Sequence, residues 1–98
     1  MKFTWDPEKD KLNKRKHRVS FEGACYIFAD PFILTIYDVD HSEDEERWVS
    51  IGKVVERNIY VVVHTHHVFD EEYVRIISAR RASAEEKRTY FSRAGRQK

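Results

Sequence analysis

Three arginines near the end of this 98-residue chain stand where they could act on an anion. Arg75 lies in an alternating run from Tyr73, in which Val74, Ile76 and Ser78 oppose Arg75, Ile77 and Ala79, the period of a largely buried strand. Arg80 and Arg81 close the run, and Ser83 then stands three residues before Glu86. Serine and glutamate at that spacing form a capping box, each satisfying a free backbone N–H of the other, so a helix is predicted from Ala84. A strand feeding a helix through a two-arginine corner sets cations beside a helix N-terminus, where phosphate is favoured. The same arginines read equally well as solvated, or as paired with the acidic run earlier in the chain.

Proton transfer falls to the five histidines. His64 sits inside the valine-rich stretch Ile59 to His67, where a strand fixes its orientation, and an imidazole of ordinary pKa about 6.5 exchanges protons at neutral pH. It is the better acid–base candidate, although a histidine satisfied by a neighbour in the sheet fits the same position. His66 shares its face and His67 points the other way. A lone Cys25 and the absence of an HExxH spacing leave no expected metal site and no cofactor. The glycines stand singly at 23, 52 and 95, which excludes a phosphate-binding loop, and no serine occupies a nucleophile elbow. Arginine, lysine, histidine and tyrosine remain. They are the equipment of metal-free RNA cleavage, which needs a base for the ribose 2′-hydroxyl, cations for the phosphorane and an acid for the leaving 5′-oxygen.

These side chains must be positioned by one small domain, 1–98, because so short a chain supports a single core. Hydrophobic residues make up 41% of it and charged residues 36%, enough for that core inside a heavily solvated exterior. No apolar run reaches the length of a membrane span and no leader pattern opens the chain, so a cytoplasmic protein without membrane contact is expected. The net charge of +1 conceals segregation: Lys9 to Arg18 is basic, Asp38 to Glu46 acidic, and the chain from Arg75 basic again. Such a bipolar surface can attract phosphate on one face.

Lys2 to Trp5 suits a short strand, and Asp6-Pro7 starts a helix running to Lys16 or His17. Leu12 is nearly the only apolar residue of that helix, which is therefore expected on the surface, held by Leu12 and by lysine stems. Its terminal Lys14, Arg15, Lys16 and His17 also complement the negative end of the helix dipole. Ser20 caps a second helix with a Phe21, Ala24, Cys25, Phe28 core stripe, stopped at Asp30-Pro31. Strands follow from Phe32, from Glu46 and from Ile59, with turns at Asp38–Asp44, around Glu56, Arg57 and Asn58, and at Val68–Glu72. The expected architecture is α+β, an antiparallel meander with two N-terminal helices and one C-terminal helix on one face, and fraying from Ser92.

The motifs FTWDPEK, NKRKHRVSFEGA, FADP, EERWVSIG and VRIISARRASAEEKRTY together resemble the BrnT family of type II toxins, over about residues 3 to 90. The resemblance implies a RelE-like fold, ribonuclease activity that inhibits translation and growth, and neutralisation by a BrnA-type ribbon-helix-helix antitoxin, with DNA contacted only through that antitoxin. Matched positions able to do chemistry are Lys16, His17, Arg47, Arg75, Arg80, Arg81 and Tyr90. In the resulting scheme Arg75, Arg80 and Arg81 hold the phosphate, Arg47 assists, His64 or His17 moves protons, and Lys14, Lys16 and Tyr90 bind RNA. An inhibitor is expected to cover the first helix and the corner arginines together. Two departures stand out: Arg18 where the family has glycine after the Lys-His pair, and HHVFDEEY where it has an acidic residue before a glycine turn. A non-catalytic RNA-binding module and a pure protein-interaction module remain alternatives.

Overall fold

The structure is a computed structural model that describes residues 1–55 and 58–96. Five strands form one sheet in the order β1-β5-β4-β3-β2, with β1 Lys2–Thr4, β2 Leu34–Tyr37, β3 Trp48–Lys53, β4 Ile59–His67 and β5 Tyr73–Arg81. Strands β2 to β5 are the antiparallel meander that the polar connections predict. The sheet as a whole is mixed, because β1 pairs parallel to β5. That edge seat lets Phe3 pack against Phe28, ring centroids 5.3 Å apart, on the core cluster. Of the turn read at Glu56, Arg57 and Asn58, the first two residues lie outside the described residues. Among the described residues no helix is long and apolar enough to cross a membrane.

The three helices do not share a face. Helix α1, Pro7–His17, and helix α2, Phe21–Ala24, which continues as a 3₁₀ turn over Cys25–Ala29, cover one side through Val19, Phe21, Ala24, Ile27, Val62, Val74, Ile76 and Ala79. Helix α3, Ala84–Arg96, covers part of the other through Ile51, Ile59, Val61, Ala82, Tyr90 and Ala94. The physical reason lies in β4, whose Val61 and Val62 point to opposite sides and are both buried, so each face needs a cover. The tightening to 3₁₀ after Ala24 spaces the core stripe as Phe21, Ala24, Ile27, and leaves Cys25 and Phe28 only half-buried. Helix α3 also runs on through Ser92 to Arg96 with Ala94 buried, beyond the expected point of fraying.

Helix α1 is fastened by a residue that hydrophobic patterning ignores. Leu12 is 61% exposed, whereas Asn13 is buried. Its amide donates to Val19 O at 2.9 Å and Ala79 O at 2.7 Å and accepts from Ala79 N–H at 3.2 Å. Two bonds to β5 and one to the connection after α1 hold a helix with almost no apolar face. The helix ends at Arg18 in the left-handed region, φ 61°, in the conformation that favours glycine.

Candidate active site

A β-bulge decides which arginines meet. Pairing between β4 and β5 steps from Val63↔Ser78 to His64↔Ile76, so Ile77 is the extra residue. Uninterrupted alternation would put Arg75 and Arg80 on opposite faces. With the bulge, Arg75 shares the α3 face with Thr65, Ser78 with Val63, and Arg80 with Val61. Arg81 pairs with Tyr60 on the α1 face, and Ala79 joins Val74 and Ile76 in the core there.

Beyond α3 the α3 face carries Thr65 and His67 of β4 beside Tyr73 and Arg75 of β5. The acidic β2–β3 connection folds across this face, for Glu45 pairs with Arg75 Nη2 through one carboxylate oxygen and lies 3.5 Å from His67 Nε2 through the other. His67 Nε2 is also 3.0 Å from Thr65 Oγ1, and its ring stacks on Tyr73 with centroids 4.4 Å apart and planes 12° from parallel. Arg75 Nε is buried and has no partner among the described residues. A carboxylate, an imidazole and a guanidinium with a spare donor thus converge at one place. Ser42 anchors the connection, its hydroxyl donating to Asp38 O at 2.5 Å and accepting from Arg47 N–H at 3.0 Å. Arg47 is half-buried and lines a pocket of about 300 Å³ with Asp40, His41, Glu43, Asp44 and Glu45.

The remaining candidates lie elsewhere. His64 is on the α1 face and 4% exposed, with Phe28 edge-on at 4.9 Å. Its Nε2 meets Ser50 Oγ at 2.7 Å, which in turn meets Thr35 Oγ1 at 2.7 Å, a polar rung across β4, β3 and β2. Burial lowers its pKa, the proximity of His66 adds to that, and the bond to Thr65 O opposes it, so the ring is a neutral core group. It is a satisfied histidine of the sheet, apart from Arg75. His17, Lys14 and Lys16 belong to α1 on the same far side, Lys14 facing Asp10 at 3.5 Å.

Arg80 grips Glu86 with both terminal nitrogens, at 2.7 and 2.9 Å, while Glu86 accepts from Ser83 N–H at 2.8 Å and Ser83 Oγ accepts from Glu86 N–H at 3.1 Å. The hydrogen bonds from Arg80 outweigh burial and, with those from Ser83, hold the Glu86 carboxyl at about 2; the same pairing raises Arg80. The corner therefore closes on itself as a helix start. Tyr90 is 2% exposed and cannot meet RNA, since its hydroxyl is spent on Asp30 Oδ2 at 2.5 Å. Burial and that carboxylate push the phenol far up. Asp30 stays low despite burial because Tyr90 and the backbone N–H groups of Lys53 and Phe32 all donate to it. Burial, with Glu22 nearby, pushes the Cys25 thiol up to about 11, which leaves it protonated and unreactive. Among the described residues no three of His, Cys, Asp and Glu are grouped to hold a metal ion.

The family model of the BrnT ribonuclease toxin of type II toxin–antitoxin systems matches residues 5–86. The chain belongs to the BrnT family. It is a ribonuclease toxin of that class, with an antitoxin partner and an RNA target implied by the system. Its fold is similar to the crystal structure of the Brucella abortus ribonuclease toxin BrnT, at TM-score 0.60 and 25% identity over 85% of this chain and 97% of that one. No curated protein matches the chain. Arg75 is the sequence candidate that the structure brings into this cluster; Glu45 and His67 are not among those candidates. In the sequence Glu45 reads as one of the six acids between Asp38 and Glu46, and His67 as the last residue of a strand. The one available signal was parity: His67 and Thr65 share a face opposite to His64.

Proposed function

We propose that this toxin cleaves RNA without a metal ion at the Glu45, His67 and Arg75 cluster. The observation that carries the reading is the convergence of those three groups around a guanidinium whose buried Nε has no partner among the described residues. A phosphate brought to Arg75 exchanges one carboxylate contact for its own oxygens, and the guanidinium fork suits it. The released Glu45 oxygen takes the proton of the ribose 2′-hydroxyl as the 2′-oxygen attacks phosphorus. Arg75 stabilises the extra negative charge of the phosphorane. His67, protonated, gives its proton to the departing 5′-oxygen. The P–O5′ bond breaks, leaving a 2′,3′-cyclic phosphate and a free 5′-hydroxyl. Arg47 assists from the adjoining pocket, and Arg80 serves as the clamp of α3.

The mixed sheet with helices on both sides supports a RelE-like relationship, and RNA loss by this route would inhibit translation and growth in the cytoplasm. Lys14 and Lys16 contribute RNA attraction at long range from the far layer. The natural restraint is a BrnA-type ribbon-helix-helix antitoxin, which would tie the toxin to DNA indirectly. Because α1 and Arg81 lie on one face and Arg80 on the other, an inhibitor on the first helix reaches the whole corner by wrapping the edge of β5. RNA incubated with the purified protein in EDTA should yield fragments ending in 2′,3′-cyclic phosphate. Intact RNA from a preparation that still arrests growth would sink the metal-free mechanism.

A further inference from the structure

Phe69 is 88% exposed, more than any other large apolar side chain among the described residues. It leads no slack loop. Glu71 N–H donates to Phe69 O at 2.6 Å, Asp70 turns the chain at φ 63°, and the ion pair of Lys2 with Glu71 and the hydrogen bond of His66 with Glu72 at 3.1 Å hold the hairpin. An aromatic ring held in water by an ordered turn forgoes the burial that folding rewards. The ring belongs to the residue two after His67, in the turn that follows β4. His67 itself already stacks on Tyr73.

We infer that Phe69 is the stacking platform for a nucleobase next to the scissile bond, and so a specificity-determining residue of RNA cleavage. The inference rests on the cluster of Glu45, His67 and Arg75 being the cleaving site. Charge favours a base over a phosphate here, since Asp70, Glu71 and Glu72 surround the hairpin with carboxylates while a nucleobase is uncharged. Stacking tolerates many sequences but grades them, because purines and pyrimidines offer different ring areas.

Phe69→Ala, Phe69→Trp and, as an exposed aromatic of the other face, Tyr26→Ala should be compared on one single-stranded RNA. KM and the distribution of cleavage ends are the readouts, with circular dichroism to verify folding. The alanine variant should raise KM about 10-fold and flatten the preference among cut sites. Tryptophan should keep KM low and retain a preference, and Tyr26→Ala should change neither. An unchanged KM and cut map in Phe69→Ala overturns the inference. So does loss of antitoxin neutralisation alone, which would make Phe69 a protein anchor. A folded wild-type protein that cleaves no RNA would instead overturn the active-site reading beneath it.

Discussion

Two arginine–glutamate pairs stand on the same face of β5, on either side of its bulge, and they have opposite characters. Arg80 and Glu86 form a closed system: two parallel hydrogen bonds, a reciprocal capping box and a carboxyl held at about 2. Arg75 and Glu45 form an open one, with a single guanidinium arm engaged and a buried Nε unpartnered among the described residues, and the carboxylate shared with His67. A pair whose donors and acceptors are all used stabilises the fold and has nothing to offer a substrate. A pair with a spare buried donor bears a desolvation cost, which a ligand oxygen can relieve. Chemical capacity follows the unsatisfied group, although both pairs have the same composition.

The sharpest way to break this comparison is to truncate each arginine. Arg75→Ala should lower kcat/KM for RNA by about 10²- to 10³-fold, the usual effect of removing a preorganised charge, while Tm changes little. Arg80→Ala should show the reverse, with a lower Tm and activity within about 3-fold of wild type, since what is lost is a surface clamp on α3. Equal losses of activity would merge the two sites and restore a corner that binds phosphate. The two histidines provide the next contrast. His67→Gln should cost about 10²-fold in kcat while circular dichroism stays unchanged. His64→Gln should leave kcat nearly unchanged and instead lower stability, because Ser50 loses its buried imidazole partner. A loss of kcat with His64 and not with His67 would move proton transfer to the α1 face.

Much of the fold was legible because local signals agreed. The Asp6-Pro7 start, the Ser83/Glu86 box, the limits of β4 and the Arg18 terminus each rest on a few neighbouring residues, and each appears where those residues place it. What escaped depends on distant partners. The parallel seat of β1, the division of the helices between faces and the anchoring role of Asn13, 66 positions from Ala79, involve residues far apart in the chain. The division of the corner arginines turned on a single count. One extra residue at Ile77 reverses the parity of everything after it, so Arg75 and Arg80 exchange from opposite faces to the same one. His64 attracted attention for its rigid strand, yet rigidity came with burial beneath Phe28, which removes a proton-transfer group from solvent and substrate.

The smallest effect tests the closed pair alone. Glu86 has its carboxyl lowered from 4.5 to about 2 in the folded chain. A depressed carboxyl stabilises the fold fully above its unfolded value and loses that contribution as pH falls through its folded one. At pH 7, Glu86→Gln should therefore be less stable than wild type by about 1 kcal/mol, from the surface pair with Arg80, since glutamine still accepts the Ser83 N–H of the capping box. On acidification the gap should narrow below about pH 4.5 and close near pH 2, where the wild-type carboxyl is itself protonated. Thermal denaturation of both proteins from pH 7 to 2 measures it directly. RNA cleavage at pH 7 and 25 °C, below either melting transition, should be the same for the two. A gap constant with pH would mean that shape and not charge holds the corner; a fall in cleavage at unchanged stability would return Glu86 and Arg80 to the chemistry.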